Sequence, residues 1–178
     1  MTGYRTIVVD PPWPYRVHDR TKAEARRHYP LMSLVELAKL DVGSYAHEDG
    51  AALWLWTTNR FVVAAHQLAV EWDFQPVTMI TWCKTGQPGV GHRVRSNTEH
   101  CLLATRGKLS TPTEPLMSSW YVWPRHRVGR RSHSYKPPAF FSLVEKATPG
   151  PWLEMFGRQC RLGWDTWDPN PFPEQAAG

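Results

Sequence analysis

The sequence predicts an α/β fold: a mixed, mostly parallel sheet with helices on both faces. Residues 7–9 and 51–58 have the apolar, β-branched character of buried strands, and a third strand is expected at 76–84. Helical patterns lie between these strands, and strand–helix–strand order predicts parallel neighbours. The 178 residues fit one domain, predicted to span 1–178.

The first half of the chain supplies the early strands. The first strand must end at Asp10, because Pro11 and Pro12 cannot continue a hydrogen-bonded ladder. Ser33 is a predicted N-cap with Glu36 three residues later, a capping box that starts a helix to about residue 40. A second helix is predicted over 60–72, where apolar residues share one stripe.

The second half continues the sheet less regularly. A fourth strand is predicted at 100–105, antiparallel to the third because no helix fits between them. Residues 109–134 are expected to be an irregular substrate-binding insertion, since a loop of this length is unusual without a function. A helix should start at Pro137 and Pro138 and run to about 146. Strands follow at 152–156 and 163–167, with a loose tail over 168–178.

Composition and charge narrow the class of partner. The formal net charge is +5, and arginines and lysines concentrate in residues 16–27 and 125–131. Basic loops favour a polyanion, although a merely solvated surface is the alternative. The three cysteines show neither CxxC nor metal-ligand spacing, so no metal is expected. No signal peptide or membrane span is apparent, which predicts a cytoplasmic protein without membrane contact.

The end of the first strand is the candidate site. Asp10 offers a carboxylate, Pro11 and Pro12 lack backbone N–H groups, and Trp13 offers a large ring. Such a tip presents hydrogen-bond acceptors with few donors, which suits a planar group that carries an NH2. A strand followed by an ordinary proline-rich turn is an equal reading of these four residues.

Six segments occur in an order that indicates a family. The segments are Asp10-Pro11-Pro12-Trp13, residues 53–59, residues 99–102, residues 133–137, residues 154–158 and Gly163-Trp164-Asp165. Together they resemble the DPPW-type N(6)-adenine methyltransferases, a family that includes the catalytic subunit of the messenger-RNA adenosine methyltransferase and bacterial and phage DNA enzymes. The resemblance implies a Rossmann-like fold in permuted order, with the catalytic motif before the cofactor motif, and S-adenosylmethionine as cofactor.

The resemblance also assigns roles to residues. It implies catalytic roles for Asp10, Pro11, Pro12 and Trp13, with Trp13 stacking on the base. The implied cofactor residues are Asp10, Lys136, Glu154, Met155, Phe156, Gly157, Arg158 and Asn170. Candidate substrate residues are Tyr15, Asn59, Arg95, Asn97, Glu99, Arg130 and Arg131. One departure is that Asp168-Pro169 replaces the Gly-Asn that often ends the last strand of the family, and Asn170 is the candidate to replace that contact.

The leading hypothesis is therefore methylation of the N(6) amine of adenine in DNA, in a bacterial or phage-infected cell. An RNA adenosine methyltransferase and a catalytically silent nucleic-acid-binding subunit of the same fold are the alternatives. A cytosine-N(4) enzyme is disfavoured, because such enzymes usually carry Ser-Pro-Pro-Tyr at the tip. A homodimer is left open.

Overall fold

The computed structural model describes residues 3–15, 31–86, 93–109, 118–124, 135–157 and 160–168. Seven strands form one sheet in these regions. They are β1 (Thr6–Val9), β2 (Gly50–Thr57), β3 (Gln75–Lys84), β4 (Thr98–Gly107), β5 (Trp120–Trp123), β6 (Trp152–Met155) and β7 (Trp164–Trp167). The helices are α1 (Leu34–Ala38), α2 (Val62–Glu71) and α3 (Pro138–Ala147), with a 3₁₀ turn at Val42–Tyr45.

The strand order is β5-β3-β4-β2-β1-β6-β7. The pairs β1–β2, β1–β6, β6–β7 and β3–β5 are parallel, whereas β4 runs antiparallel to both β2 and β3. The predicted mixed, mostly parallel sheet is confirmed, as is the antiparallel pairing of the third and fourth strands. Strands β2 to β5 all lie on one side of β1. After β5 and α3 the chain returns to the other side of β1, where β6 and then β7 are added.

Helices cover both faces of the sheet, as predicted. On one face α1 and α2 pack over alternate strand residues such as Ile7, Leu53 and Leu55. On the other, Phe140 and Val144 of α3 pack over the intervening positions. All eight residues of β2 are consequently buried. A strand covered on both faces must be apolar at every position, which explains the continuous hydrophobic run in its sequence.

The predicted helix signals form as expected. The Ser33 hydroxyl accepts a hydrogen bond from the Glu36 amide at 3.2 Å, and the Glu36 carboxylate accepts one from the Ser33 amide at 2.7 Å. This capping box satisfies amide groups that have no partner inside α1. Pro138 occupies the first turn of α3, where the missing N–H is not needed.

The expectation of an irregular segment throughout 109–134 was wrong in one part. Residues Trp120–Trp123 form β5, which pairs in parallel with the end of β3. Three aromatic residues and the β-branched Val122 make up this stretch, a composition that suits a strand, although its proline-rich and basic surroundings obscured it. The predicted strand near the C-terminus forms as β7. The basic runs 16–27 and 125–131 lie outside the described residues, as does the tail beyond Asp168.

Candidate active site

The candidate site lies where the strands end, along one end of the sheet, which we call the sheet edge. Because β4 is the antiparallel member, its amino end meets the carboxyl ends of the other six strands at this edge. Asp10 follows β1, Lys84 ends β3 and Glu99 is the second residue of β4. The connections from β1 and to β6 lead to opposite sides of the sheet, so the strand order reverses between these two adjacent parallel strands. Ligands of open α/β sheets bind beyond the carboxyl ends of strands at such a switch point.

Backbone hydrogen bonds hold the Asp10–Trp13 tip in place. The Asp10 amide donates to the carbonyl of Met155 at 3.3 Å, which joins the ends of β1 and β6. The Pro11 carbonyl accepts from the Trp13 amide at 2.9 Å, and the Pro12 carbonyl accepts from the Met32 amide at 3.0 Å. A carbonyl oxygen carries two lone pairs, so Pro11 keeps one for a further bond.

Trp13 does not present the open stacking surface that was expected of it. Its side chain is 4% exposed, and its ring stacks on Phe61 with centroids 5.0 Å apart. The indole N–H donates to the Trp56 carbonyl at 3.1 Å. Trp13 therefore packs the tip onto the core beside α2. The sequence alone could not show this, because the covering ring comes from a residue 48 positions later in the chain.

Tyr15 is a partly exposed aromatic ring beside the tip. Its hydroxyl shares a 3.0 Å hydrogen bond with Thr58, and its ring meets Phe61 edge to face. Burial raises the pKa of the Tyr15 phenol, and the hydrogen bond with Thr58 partly opposes that rise. The charges of Glu99, Lys136 and Asp10 also act on it, so Tyr15 belongs to the same electrostatic neighbourhood.

An alternating chain of charges joins the strand ends. Lys136, just before α3, places its ammonium 2.9 Å from Asp10 Oδ1 and 3.3 Å from Glu99 Oε2. Lys84 contacts the other oxygen of the same carboxylate, Glu99 Oε1. The side chains of Lys84, Glu99, Lys136 and Asp10 are 16%, 18%, 11% and 19% exposed. Lys136, implied by resemblance to be a cofactor contact, is thus bound to two carboxylates in this structure.

The electrostatics of Glu99 follow from this arrangement. Burial alone would raise the pKa of its carboxyl group, but the ammonium groups of Lys136 and Lys84 outweigh burial. The pKa of Glu99 is consequently lowered, and the group is ionised at neutral pH. Two cations and two carboxylates then balance within one partly buried cluster, the condition under which such charges are tolerated.

A second, neutral polar cluster occupies the other face of the same edge. Asn59 donates from its amide to Ser96 Oγ at 3.2 Å and to Thr98 Oγ1 at 3.4 Å. His100 contacts Asn59 through Nε2 and lies 3.0 Å from Thr81 Oγ1 through Nδ1. Burial lowers the pKa of His100, although Glu99 partly opposes this effect. The predicted substrate residue Asn59 therefore ties β2 to the start of β4.

Two further substrate candidates lie on the segment before β4. Arg95 and Asn97 are exposed, and the Asn97 carbonyl accepts a hydrogen bond from the Lys84 amide at 2.8 Å. Arg130 and Arg131 fall outside the described residues.

The turn after β6 forms the other wall of the site. Phe156 has a φ of 62°, an uncommon conformation for a residue with a side chain, and its amide donates to the Trp167 carbonyl at 2.7 Å. At Gly157, an added Cβ would lie 2.9 Å from the Cγ and Cδ atoms of Glu154. The buried Glu154 thus packs directly against the glycine. Arg158 and Asn170 lie outside the described residues.

Sequence reasoning missed Lys84, Trp82 and Trp56. The Lys84 ammonium lies 4.6 Å from the centre of the Trp82 ring, and that of Lys136 lies 4.9 Å from the centre of Trp56. A signal was available, because the predicted antiparallel pairing of the third and fourth strands brings Trp82 opposite Glu99. Alternation along a strand then places Lys84 on the face that holds Trp82.

The sheet, the switch point and the acceptor-rich tip match the fold and site expected of an α/β methyltransferase of the permuted type. The MT-A70 family profile matches residues 4–170, so the chain belongs to the MT-A70 family. This is a family of S-adenosylmethionine-dependent N(6)-adenine methyltransferases.

Individual relatives support the assignment. The chain is 29% identical over 183 residues to the type II methyltransferase M.MunI of Mycoplasma sp, covering 92% of this chain and 76% of that protein. It is 30% identical over 175 residues to the N6-methyladenosine RNA methyltransferase MTA1 of Cryphonectria parasitica, covering 90% and 49%. It is 25% identical over 163 residues to human METTL3, an N(6)-adenosine-methyltransferase catalytic subunit, covering 87% of this chain but only 26% of METTL3.

The described regions contain no candidate for a membrane span or a metal centre. None of the helices there has the length and apolar character needed to cross a bilayer. Within the same regions, His, Cys, Asp and Glu side chains do not gather in groups of three or more that could hold a metal ion.

Proposed function

We propose that this protein transfers a methyl group from S-adenosylmethionine to the N(6) amine of adenine in DNA. One observation carries the proposal: Lys136 fixes Asp10 at the end of β1, directly beside the end of β6. An oriented carboxylate at the switch point of the sheet is what recognition of an amine at this position requires.

Asp10 and Pro11 act on the nucleophile. The lone pair of the adenine amine is delocalised into the ring, so the amine attacks poorly until its N–H bonds are held by acceptors. Lys136 binds Asp10 Oδ1, which leaves Oδ2 to accept one N–H, and the second lone pair of the Pro11 carbonyl accepts the other. These acceptors also stabilise the positive charge that develops on the nitrogen.

The β6 turn fits the cofactor. S-adenosylmethionine supplies a methyl group that is already activated by its sulfonium. Gly157 lets the Glu154 side chain pack directly against the turn, and the Glu154 carboxylate is suited to ribose hydroxyls. Met155 and Phe156 set the turn that presents both residues. Arg158 and Asn170 are proposed to complete the pocket.

The nucleic acid must deliver an unstacked base to Asp10. A base within a duplex has to be flipped out, at a cost of a few kcal/mol, or be supplied by a single strand. With Trp13 covered by Phe61, we assign stacking on the base to Tyr15. Arg95 and Asn97 on the exposed segment, together with Arg130 and Arg131, are proposed to contact the strand.

DNA is proposed ahead of RNA because the match extends over 76% of M.MunI, against 26% of METTL3. RNA is the second candidate, favoured by the 30% identity to an N6-methyladenosine RNA methyltransferase. The two candidates share the Asp10 chemistry and differ only in the strand that the surface accepts.

The test is tritium transfer from S-adenosylmethionine to duplex DNA, single-stranded DNA and RNA of matched sequence. We expect label in DNA, recovered as N(6)-methyladenine, and about a hundredfold or greater loss in Asp10→Asn. Asp73→Asn is the matched control: Asp73 is 80% exposed, far from the site, and has a φ of 64° that asparagine tolerates well.

Other outcomes decide between the alternatives. Label in RNA alone would move the assignment to the RNA candidate. A folded wild-type protein that labels none of the three substrates would contradict both candidates. The remaining hypothesis would then be a catalytically silent nucleic-acid-binding subunit. Activity that survives Asp10→Asn unchanged would contradict the proposed mechanism.

A further inference from the structure

We propose that Lys84 is a positioning residue, which neutralises Glu99 from β3 and thereby leaves Lys136 to hold Asp10. The inference rests on the proposed function only in that Asp10 is the group that binds the amine. Lys84 binds Glu99, and Lys136 binds both Glu99 and Asp10, so the effect of Lys84 on Asp10 is proposed to pass through Glu99 and Lys136.

The contacts form an unbroken line. Lys84 binds one oxygen of Glu99, and Lys136 binds the other at 3.3 Å. The same Lys136 ammonium reaches Asp10 Oδ1 at 2.9 Å. Glu99 therefore stands between the two lysines, and Lys136 stands between the two carboxylates.

Both lysines are seated in the same manner. The Lys84 ammonium lies 4.6 Å from the centre of the Trp82 ring, and the Lys136 ammonium lies 4.9 Å from the centre of Trp56. The two indole rings meet edge to face, with centroids 6.1 Å apart and planes at 78°. A cation–π contact is stronger in a partly desolvated place than at an exposed site. The paired indoles thus fix the separation of the two cations that bracket Glu99.

Charge balance explains why a second lysine is needed. Lys136 alone would have to serve two partly buried carboxylates, and one of them would carry an uncompensated charge. Lys84 supplies the missing charge at Glu99, so the attraction of Glu99 for Lys136 is shared and Lys136 remains on Asp10. Removing Lys84 should draw Lys136 toward Glu99 and, because one lysine cannot replace two, should also make Glu99 take up a proton more readily.

Among the described residues, five groups act on or lie near Glu99. Lys84 and Lys136 contact its oxygens, Asp10 lies beyond Lys136, and Tyr15 and His100 interact with it electrostatically. Burial by itself raises the pKa of Glu99, and the two lysines together lower it. Without Lys84, only Lys136 opposes the effect of burial, so the pKa of Glu99 should rise.

The first measurement needs no cofactor and no activity. The pKa of Glu99 is followed by ¹³C NMR of glutamate carboxyl groups in the wild type, Lys84→Met, Lys84→Arg and the exposed control Lys108→Met, with Glu99→Gln used for assignment. We expect an upward shift of at least about one pKa unit, a tenfold change in proton affinity, in Lys84→Met alone. An unchanged pKa in Lys84→Met would overturn the proposal.

The second measurement is a double-mutant cycle on methyl transfer. Lys84→Met should lower kcat/KM about tenfold at pH 8 and by less at pH 6, because at the lower pH Glu99 is more fully protonated and no longer draws Lys136 from Asp10. In a Glu99→Gln background the same change should cost less than about twofold. This background also keeps the test usable if Lys84→Met alone folds poorly, since the double variant has no uncompensated carboxylate at position 99.

The outcomes separate this proposal from the proposed function. A full tenfold loss from Lys84→Met in the Glu99→Gln background would show that Lys84 acts independently of Glu99, which overturns the proposal. If the wild type methylates no nucleic acid, the proposed function fails, while the pKa of Glu99 still decides the role of Lys84.

Discussion

Glu99 and His100 are consecutive residues at the start of β4, and they organise two different clusters. Alternation along the strand sends Glu99 to the face of α3 and His100 to the face of α2. Around Glu99 the partners are charged, Lys84 and Lys136, and the line of contacts ends at Asp10. Around His100 the partners are neutral, and the line of contacts ends at backbone segments.

The difference indicates that the charged cluster serves the reaction and that the neutral cluster serves stability. Charges that are partly buried and fully paired are costly to assemble, and they are justified where a carboxylate such as Asp10 must be held in one orientation. Neutral hydrogen bonds suffice to hold Asn59 against Ser96 and Thr98, which keeps the segment before Glu99 in place. We therefore expect changes on the Glu99 side to affect the reaction most, and changes on the His100 side to affect mainly stability.

The largest effect is expected for Lys136→Met. The change removes the contact to Asp10 and leaves two carboxylates without their shared cation, so we expect about a thousandfold loss of kcat/KM and about 3 kcal/mol lower stability. Methyl transfer and urea unfolding measure the two quantities. Lys146→Met, on the exposed side of α3, is the matched control. If both variants lose activity equally, the claim that the charged cluster has a special role in the reaction is contradicted.

Glu99→Gln tests the pH dependence of the charged cluster. The lowered pKa of Glu99 means that its ionised form stabilises the fold above the unfolded-state value of about 4.3, and that this stabilisation is lost as pH falls through the lower folded-state value. At pH 7 we expect the variant to be about 2 kcal/mol less stable, as for a hydrogen bond to a charged group.

Urea unfolding of both proteins from pH 3 to 7 measures that difference. It should be constant above about pH 5 and should shrink below the unfolded-state pKa. A difference that grows on acidification would show that the pKa of Glu99 is raised, and that burial rather than the lysines controls the carboxyl group.

Much of the fold could be predicted because its signals are local. The β-branched run before Asp10, the capping box at Ser33 and the prolines before α3 each determine their own element. The antiparallel β4 also followed from local information, since too few residues separate it from β3 for a crossover helix. β5 escaped prediction because its composition suits a strand but does not show that these four residues pair with β3.

The site was predictable as a location and less so as a set of contacts. Asp10 and Gly157 could be placed at strand ends because parallel wiring brings those ends together. That Lys136 binds Asp10 and Glu99, and that Phe61 covers Trp13, depends on side chains from four separate elements. Such contacts follow from tertiary packing, for which residue spacing carries no signal.

His100→Gln tests the neutral cluster. Burial lowers the pKa of His100, so its stabilising contribution is complete above the unfolded-state pKa of about 6.5 and declines as pH falls toward the folded-state value. We expect about 1 kcal/mol lower stability at pH 7.5 and a smaller difference at pH 5.5, with kcat/KM changed less than about threefold. Urea unfolding at the two pH values measures this. A difference that increases at pH 5.5 would place a protonated His100 with Glu99, in the charged cluster.

The smallest effect is expected for Ser96→Ala. Ser96 accepts from the Asn59 amide at 3.2 Å and donates to the Thr98 carbonyl at 3.2 Å, but it is exposed, so water can replace both bonds. We expect a loss of about 0.5 kcal/mol and less than a twofold change in kcat/KM, with Ser142→Ala on the exposed side of α3 as control. A tenfold loss of kcat/KM, as large as that expected for Lys84→Met, would mean that the segment before β4 is positioned by Asn59 for the reaction itself. The two faces of the sheet edge would then form one functional unit, coupled through the consecutive residues Glu99 and His100.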